Sequence, residues 1–277
     1  MTSSTNWIDL SRDADTGIET LRAHFKGHAY DPHWHPSYLV GLTEQGIQQF
    51  NCRKQKVQST PGKVFLLEPG EMHDGESIRQ DGFTYRMLYI DPEWLEQSLS
   101  GLFEQVPVGY IPGFDTTLSQ DPQLAQAISD AFEMLHYGEI RMVKQSAIDT
   151  LLATLTRHVA WRANTQQSGL NLTLAERARE YIHAHMYENI GLDDLSAVLD
   201  TDRFTLTRAF KQRFGQPPHT YLVQLKLTHA RLLLANGMLP IDVSTIVGFA
   251  DQSHMGRWFR KAYRLTPSHY RKLCLQR

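Results

Sequence analysis

Asp202-Arg-Phe-Thr-Leu-Thr-Arg208-Ala-Phe210-Lys-Gln-Arg-Phe214 and Asp251-Gln-Ser-His-Met-Gly-Arg257-Trp-Phe259-Arg-Lys-Ala-Tyr263 are one pattern written twice, at a fixed offset of 49 positions. The same offset carries Lys211 onto Arg260, Pro218 onto Pro267, Tyr221 onto Tyr270, Asp193 onto Asp242 and Val198 onto Val247. So many chemically matched positions at one spacing mark a duplicated unit.

Each copy carries the punctuation of two short helices. In the first, Leu192 to Leu199 reads as a helix, Asp202 is placed to cap a second one, and Gly215 to close it. Leu206, Phe210 and Phe214 recur at the spacing of a buried stripe. That leaves Arg203, Phe204, Thr207 and Arg208, with Thr205 beside them, for the outer face. In the second copy Ile241 to Val247 is the first helix, Gly248-Phe-Ala the turn, and Asp251 the cap. Its outer set is Gln252, Ser253, His254, Gly256 and Arg257. Two short helices joined by a tight turn, the second polar outside, form a helix-turn-helix. The residue types suit double-stranded DNA: Arg pairs with guanine or phosphate, Gln with adenine, Thr with either, and an aromatic ring with the thymine methyl. A merely solvated face would also be polar, but here caps, period, charge and duplication agree. For any single residue a phosphate contact serves as well as a base contact. Thr220 to Ala235 reads as one longer helix that would hold the two motifs apart, suited to successive major-groove segments about 34 Å apart. The two outer faces differ, so the half-site should be asymmetric.

Charge supports the same division. The 277 residues sum to −2, yet from Leu170 onward there are 15 Lys and Arg against 9 Asp and Glu, leaving 13 against 21 before it. A basic half on an acidic half suggests a polyanion-binding domain joined to something else. Two cysteines, Cys52 and Cys274, make no disulfide framework. No apolar run spans a bilayer and no signal segment is visible, so the expectation is a cytoplasmic protein without a membrane partner.

The acidic half begins with a polar stretch over residues 1 to 20, expected as a flexible arm or as an arm folding over a neighbouring pocket. From Leu21 to Pro92 short apolar runs (Tyr38 to Leu42, Val64 to Leu67, Tyr85 to Ile90) alternate with turns at Glu44-Gln-Gly46, Pro61-Gly62, Pro69-Gly70 and Asp81-Gly82. That pattern predicts a β-sandwich or barrel. On a strand, His33 and His35 share a face, and His73 follows Pro69-Gly70-Glu-Met. Three imidazoles could hold Zn²⁺ or another borderline divalent metal with one position open. They could instead line a small-molecule pocket or make structural hydrogen bonds. Tyr85 and Met87 are the expected inward neighbours, with Arg86 on the other face. Two helices are predicted next: one from Asp121-Pro122 through Leu135, another from Gly138 to about Ala163. The pair, residues 121–163, either covers the barrel or offers a homodimer face. Asn164 to Asn171 reads as a linker.

Two resemblances follow. His33-Trp-His35 with Gly46, Gly62, Pro69, Gly70 and His73 resembles the two motifs of the cupin barrel. In metal-binding cupins three His and a Glu hold one ion; here that Glu is replaced by Leu39 or Val40, and Glu44 comes too late. The basic half, from about Leu174 to Arg271, is similar to the DNA-binding domain of the AraC/XylS family of bacterial transcription regulators. Gly248-Phe-Ala-Asp-Gln-Ser-His-Met-Gly-Arg-Trp-Phe-Arg-Lys-Ala-Tyr-Arg-Leu-Thr-Pro-Ser-His-Tyr-Arg271 follows that family's signature almost throughout. It departs where Arg264 stands for the usual Gly. The resemblance implies an effector-responsive regulator, often dimeric, that binds direct-repeat half-sites and contacts RNA polymerase. The expected architecture is therefore α+β with two domains. Residues 1–165 would be a cupin-like β-barrel with a helical pair, 166–172 a linker, and 173–277 an all-α domain with two helix-turn-helix motifs. The alternatives are a metal-responsive regulator using His33, His35 and His73, and a cupin enzyme tethered to DNA.

Overall fold

The computed structural model describes residues 6–103, 109–163 and 173–275, so the linker reading over Asn164 to Asn171 lies outside the described residues. The chain divides into two compact units, residues 1–165 and 166–276.

The first unit is built on strands β1 (Trp7–Arg12), β2 (Glu19–Phe25), β3 (His28–His33), β4 (Tyr38–Gly46), β5 (Gln48–Cys52), β6 (Gln55–Ser59), β7 (Val64–Leu67), β8 (His73–Ser77) and β9 (Phe83–Ile90). Helix α1 (Pro92–Ser100), strands β10 (Tyr110–Phe114) and β11 (Leu118–Ser119), helices α2 (Pro122–His136) and α3 (Arg141–Leu155), and strand β12 (Val159–Ala163) complete it. Six strands pair in the order β1-β2-β9-β4-β7-β11, and four in the order β3-β8-β5-β6.

The six-stranded sheet is apolar on both faces, because alternate side chains go to opposite sides. Val40, Leu66, Leu88 and Ile90 meet Leu95 of α1, Ile128 and Phe132 of α2, and Leu151 and Leu155 of α3 in one cluster. Burying each of these side chains contributes about 1.5–3 kcal/mol. The alternate residues Phe65 and Tyr85 join Phe25, Phe50 and Phe83 in a second group of ring contacts, between the two sheets. Arg86, on the helix side, bonds Glu44, Glu133 and Ser129 and lies over the Phe132 ring.

Two expectations need correction. The N-terminal stretch is no free arm where it is described: Trp7 to Arg12 pairs in register along β2, because Leu10 alternates inward and is buried. The second helix of the pair stops at Leu155 rather than near Ala163, so residues 121–163 are not helical throughout. After a short 3-10 turn at Thr156–His158, Val159 to Ala163 extends and pairs antiparallel with Tyr110 to Phe114. Val159 and Trp161 favour a pleated surface, and Arg162 fixes the strand by bonding Glu68 and the carbonyl of Phe114.

The second unit is all helix: α4 (Leu174–Ala184), α5 (Leu192–Val198), α6 (Arg203–Phe214), α7 (Pro218–Ala235), α8 (Pro240–Ile246), α9 (Gln252–Tyr263) and α10 (Pro267–Leu275). Pro218 and Pro267, partners in the repeat, each open a helix, where a missing N–H costs nothing. The turn between α8 and α9 places Gly248 at φ +73°, where a Cβ would stand only 2.7 Å from the Tyr187 carbonyl oxygen. Gly256, inside α9, has open space where a Cβ would go. Gly248→Ala should therefore cost at least about 2 kcal/mol, whereas Gly256→Ala should gain up to about 1 kcal/mol. Urea unfolding of the two variants checks the opposite signs.

Candidate DNA-reading helices and a three-histidine cluster

The second helix of each motif is fixed at its start, its end and its inner face. Asp202 accepts from the backbone N–H groups of Phe204 and Thr205 at 2.9 and 2.8 Å. Asp251 accepts from that of His254 at 2.7 Å. Gly215 and Arg264 end α6 and α9 in the left-handed conformation, at φ +76° and +59°. Arg264, where the signature has Gly, thus takes in the second copy the left-handed C-cap position that Gly215 takes in the first.

The inner faces repeat as closely as the sequence does. Phe210 packs against Phe214 and Tyr221 with ring centroids 4.7 and 5.4 Å away. Their partners 49 positions on, Phe259 with Tyr263 and Tyr270, stand at 4.7 and 5.5 Å. The outer atoms of the two triads differ. His183 Nε2 lies 2.9 Å from the Tyr221 hydroxyl, while the Arg231 guanidinium sits over Tyr263 and Tyr270. Most of the repeated aromatic residues are therefore packing residues. Burial pushes the Tyr221 phenol up to about 12.

The outer faces are where the copies part. Phe204 is 75% exposed, and the Arg208 guanidinium lies 5.8 Å from its ring. Arg203 is exposed and ion-paired with Asp193 of α5. The Thr205 hydroxyl is taken up by the Asp202 cap, where it helps hold that carboxylate below its usual range. Thr207 is half-buried. In α9, Gln252, Ser253 and Arg257 are exposed. His254 turns back into its own motif: its Nε2 accepts from Trp258 Nε1 at 3.0 Å and its ring meets Phe249 edge-on. The residues left facing solvent are Arg203, Phe204 and Arg208 in one copy, and Gln252, Ser253 and Arg257 in the other.

Sequence reading missed what clamps the second motif. Lys226 of α7 is buried, and its Nζ donates to the Gly248 carbonyl at 2.8 Å. Burial draws its pKa down. A lysine in an otherwise apolar helical stretch was the available signal. Nothing in its spacing named the partner.

In the first unit His33, at the end of β3, converges with His35 just beyond it and His73 at the start of β8. Their ligating atoms all lie within 4.8 Å of one another. His33 and His73 are direct register partners. Their Nδ1 atoms stand 2.8 and 2.9 Å from the carbonyl oxygens of Asp31 and Glu71. A carbonyl can only accept, so each Nδ1 carries the proton. Burial, and for His33 the nearby His73, lowers these two imidazoles to about 3 and about 4; His35 is likewise held well below its ordinary value. All three rings are neutral at pH 7.

The other residues considered with them fall differently. Tyr85 is buried among Phe25, Phe65 and Phe83, and its hydroxyl is 3.1 Å from that of Tyr30. Met87 is buried as well. Tyr89 brings its ring within 5.2 Å of His35. Glu44 is held by Arg22 and Arg86.

Replacing Lys226 by Met should leave the Gly248 carbonyl without its charged donor and cost about 1.5–3 kcal/mol. Amide hydrogen exchange should show added opening confined to residues 244–258. Unchanged exchange there would remove the clamp from the account.

Residues 15–155 match the AraC-like ligand binding domain and residues 195–273 a helix-turn-helix domain. The chain is 27% identical over 251 residues to YbfI, an HTH-type transcriptional regulator of Bacillus subtilis, covering 89% of this chain and 88% of that one. It is 25% identical over 235 residues to the lactose operon transcription activator of Staphylococcus xylosus, covering 84% and 83%. Unsaturated fatty acid-bound ToxT of Vibrio cholerae shares the fold, with a TM-score of 0.57 at 12% identity over 100% of this chain and 98% of that one. With an AraC-like ligand-binding domain over half its length and a DNA-binding helix-turn-helix domain after it, the chain belongs to the AraC family of transcription regulators.

Proposed function

We propose that this regulator reads an asymmetric DNA half-site with α6 and α9, and that a small molecule held in its barrel governs that binding. The observation that supports the first part is the pair of capped helices whose inner faces are alike and whose exposed N-terminal turns are not. Arg208 and Arg257 occupy equivalent positions, so each serves its own groove segment. Phe204 suits a thymine methyl and Gln252 an adenine edge. Arg203 must exchange Asp193 for a phosphate or a guanine, so its contribution is smaller than its exposure suggests. Thr205 and His254, engaged by Asp202 and Trp258, would also order their helices, and Thr207 would add a contact from the same face as Arg208. In the same proposal the effector site is lined by His33, His35 and His73, with Tyr85 and Met87, both buried, as further lining residues. Direct-repeat operators, contact with RNA polymerase and action in the cytoplasm complete the reading.

Dimerisation through the α2–α3 region is part of the same proposal. Tyr137, Ile140, Met142 and Val143 lie exposed where α2 turns into α3, with Met142 at 77% and Ile140 at 70%. Met142→Glu should raise the dimer dissociation constant at least about tenfold in analytical ultracentrifugation, the loss of roughly one apolar contact; an unchanged constant would move the interface elsewhere.

The DNA part is tested by selecting operators from randomised duplexes with the full chain and comparing variants on the winners. Arg208→Ala and Arg257→Ala should each cost about 1–3 kcal/mol, with the loss concentrated at one base position if the residue reads a base. Equal weakening on all sequences assigns the residue to phosphate. Affinity untouched by both substitutions would overturn docking by two motifs. A second reading, in which a metal is what the barrel senses, is favoured by the convergence of three neutral imidazoles.

A further inference from the structure

We propose that His33, His35 and His73 bind one borderline divalent cation of the Zn²⁺ type inside the barrel, leaving a coordination position open to a ligand from solution.

Three features support this. The first is convergence: the ligating atoms lie within 4.8 Å of one another, and ring centroids are 4.4 to 5.4 Å apart. Zinc–imidazole bonds of about 2.0–2.1 Å in a tetrahedron ask the nitrogens to draw in by roughly 1 Å, a movement within reach of side-chain rotation. The second is tautomer. With Nδ1–H of His33 and His73 fixed on the carbonyls of Asp31 and Glu71, Nε2 of each ring keeps its lone pair for a metal. That carbonyl–imidazole arrangement is how ligating histidines are oriented and their tautomer set. The third is bracing of the segment that carries His73. Gly70 N donates to the His35 carbonyl at 2.8 Å, tying the loop to the backbone of a second ligand. Arg53 holds Glu71, and Glu68 at 2.7 Å, at the loop's base. The segment is thus fixed before any ion arrives.

The chemistry of the set selects the ion. Three neutral nitrogen donors suit Zn²⁺, Co²⁺, Ni²⁺ or Cu²⁺ and disfavour Mg²⁺ and Ca²⁺, which want oxygen. Among the described residues no carboxylate joins the three histidines as a candidate ligand, and Glu44 is engaged by Arg22 and Arg86, so the fourth position falls to water or a small molecule with an oxygen or sulfur donor. This inference deepens the barrel-sensing half of the proposed function, and its test does not involve DNA. Failure of the metal site would leave docking by α6 and α9 untouched.

The full chain, stripped with chelator and dialysed, is titrated with Co²⁺ as a visible probe and with Zn²⁺ in competition. One tight ion per chain is expected, with visible Co²⁺ bands that Zn²⁺ abolishes and a zinc-dependent rise in Tm. His35→Gln and His73→Gln should each weaken uptake at least about 100-fold, while His185→Gln, outside the cluster, should not. Melting curves of the variants in chelator check folding. If the variants unfold, the wild-type Co²⁺ spectrum and the zinc-induced Tm shift decide alone. No uptake by the wild-type chain, or uptake that survives His35→Gln and His73→Gln in folded protein, overturns the proposal.

Discussion

The helical unit depends on two rings of contact, Phe210 with Phe214 and Tyr221, and Phe259 with Tyr263 and Tyr270. Each triad joins the last turns of a motif's second helix to the first turn of the helix that follows it. The inner face of α6 or α9 is then fixed by dispersion and burial, which are indifferent to what stands on the outer face. Arg203-Phe204 could diverge from Gln252-Ser253 without loss of fold. The duplication preserves the anchor and releases the opposite side, so two copies of one frame display different chemistry.

The ligand-binding unit solves a different problem with one sheet buried on both sides. One face carries α1, α2 and α3, and the other closes on the four-stranded sheet. Polar groups on so enclosed a sheet need partners. Arg86 finds Glu44 and Glu133. His33 and His73 find backbone carbonyls, and all three histidine rings lie against one another. The histidines give up their charge to stay there, because an imidazolium in that enclosure would lose hydration and gain close neighbours that repel it.

Much of this was legible in the residues. The offset of 49 positions, the caps at Asp202 and Asp251 and the alternation of short apolar runs with Pro-Gly turns depend on local chemistry, which a sequence states directly. His33 and His35 could be placed on one face by period alone. His73 could be grouped with them only through a resemblance, since the strand pairing of His33 with His73 across 40 positions has no local signature. The same limit explains the errors. Val159 to Ala163 continued an apolar stripe plausibly enough to read as helix, and only the edge of β10 makes it a strand. Thr205 and His254 keep the outer-face positions that the period gives them, but their partners, the Asp202 carboxylate for one and the Trp258 indole for the other, are set by side-chain geometry, which spacing does not state. Lys226 and Arg231 take partners 22 and more residues away, beyond any pattern of period or propensity.

The pairing of β12 with β10 sets where the first unit ends. Residues 159–163 are the last described before the helical unit, and among the described residues they are the partner of β10. A fragment cut after α3 would bare main-chain donors and acceptors of Tyr110 to Phe114, an invitation to association with another copy. The boundary of independent folding therefore falls after this strand and not at the end of the last helix. The strand's side-chain anchor, Arg162, is held by Glu68, five residues before His73. The last strand of the first unit is thus tied, through Arg162, to the segment that leads into His73.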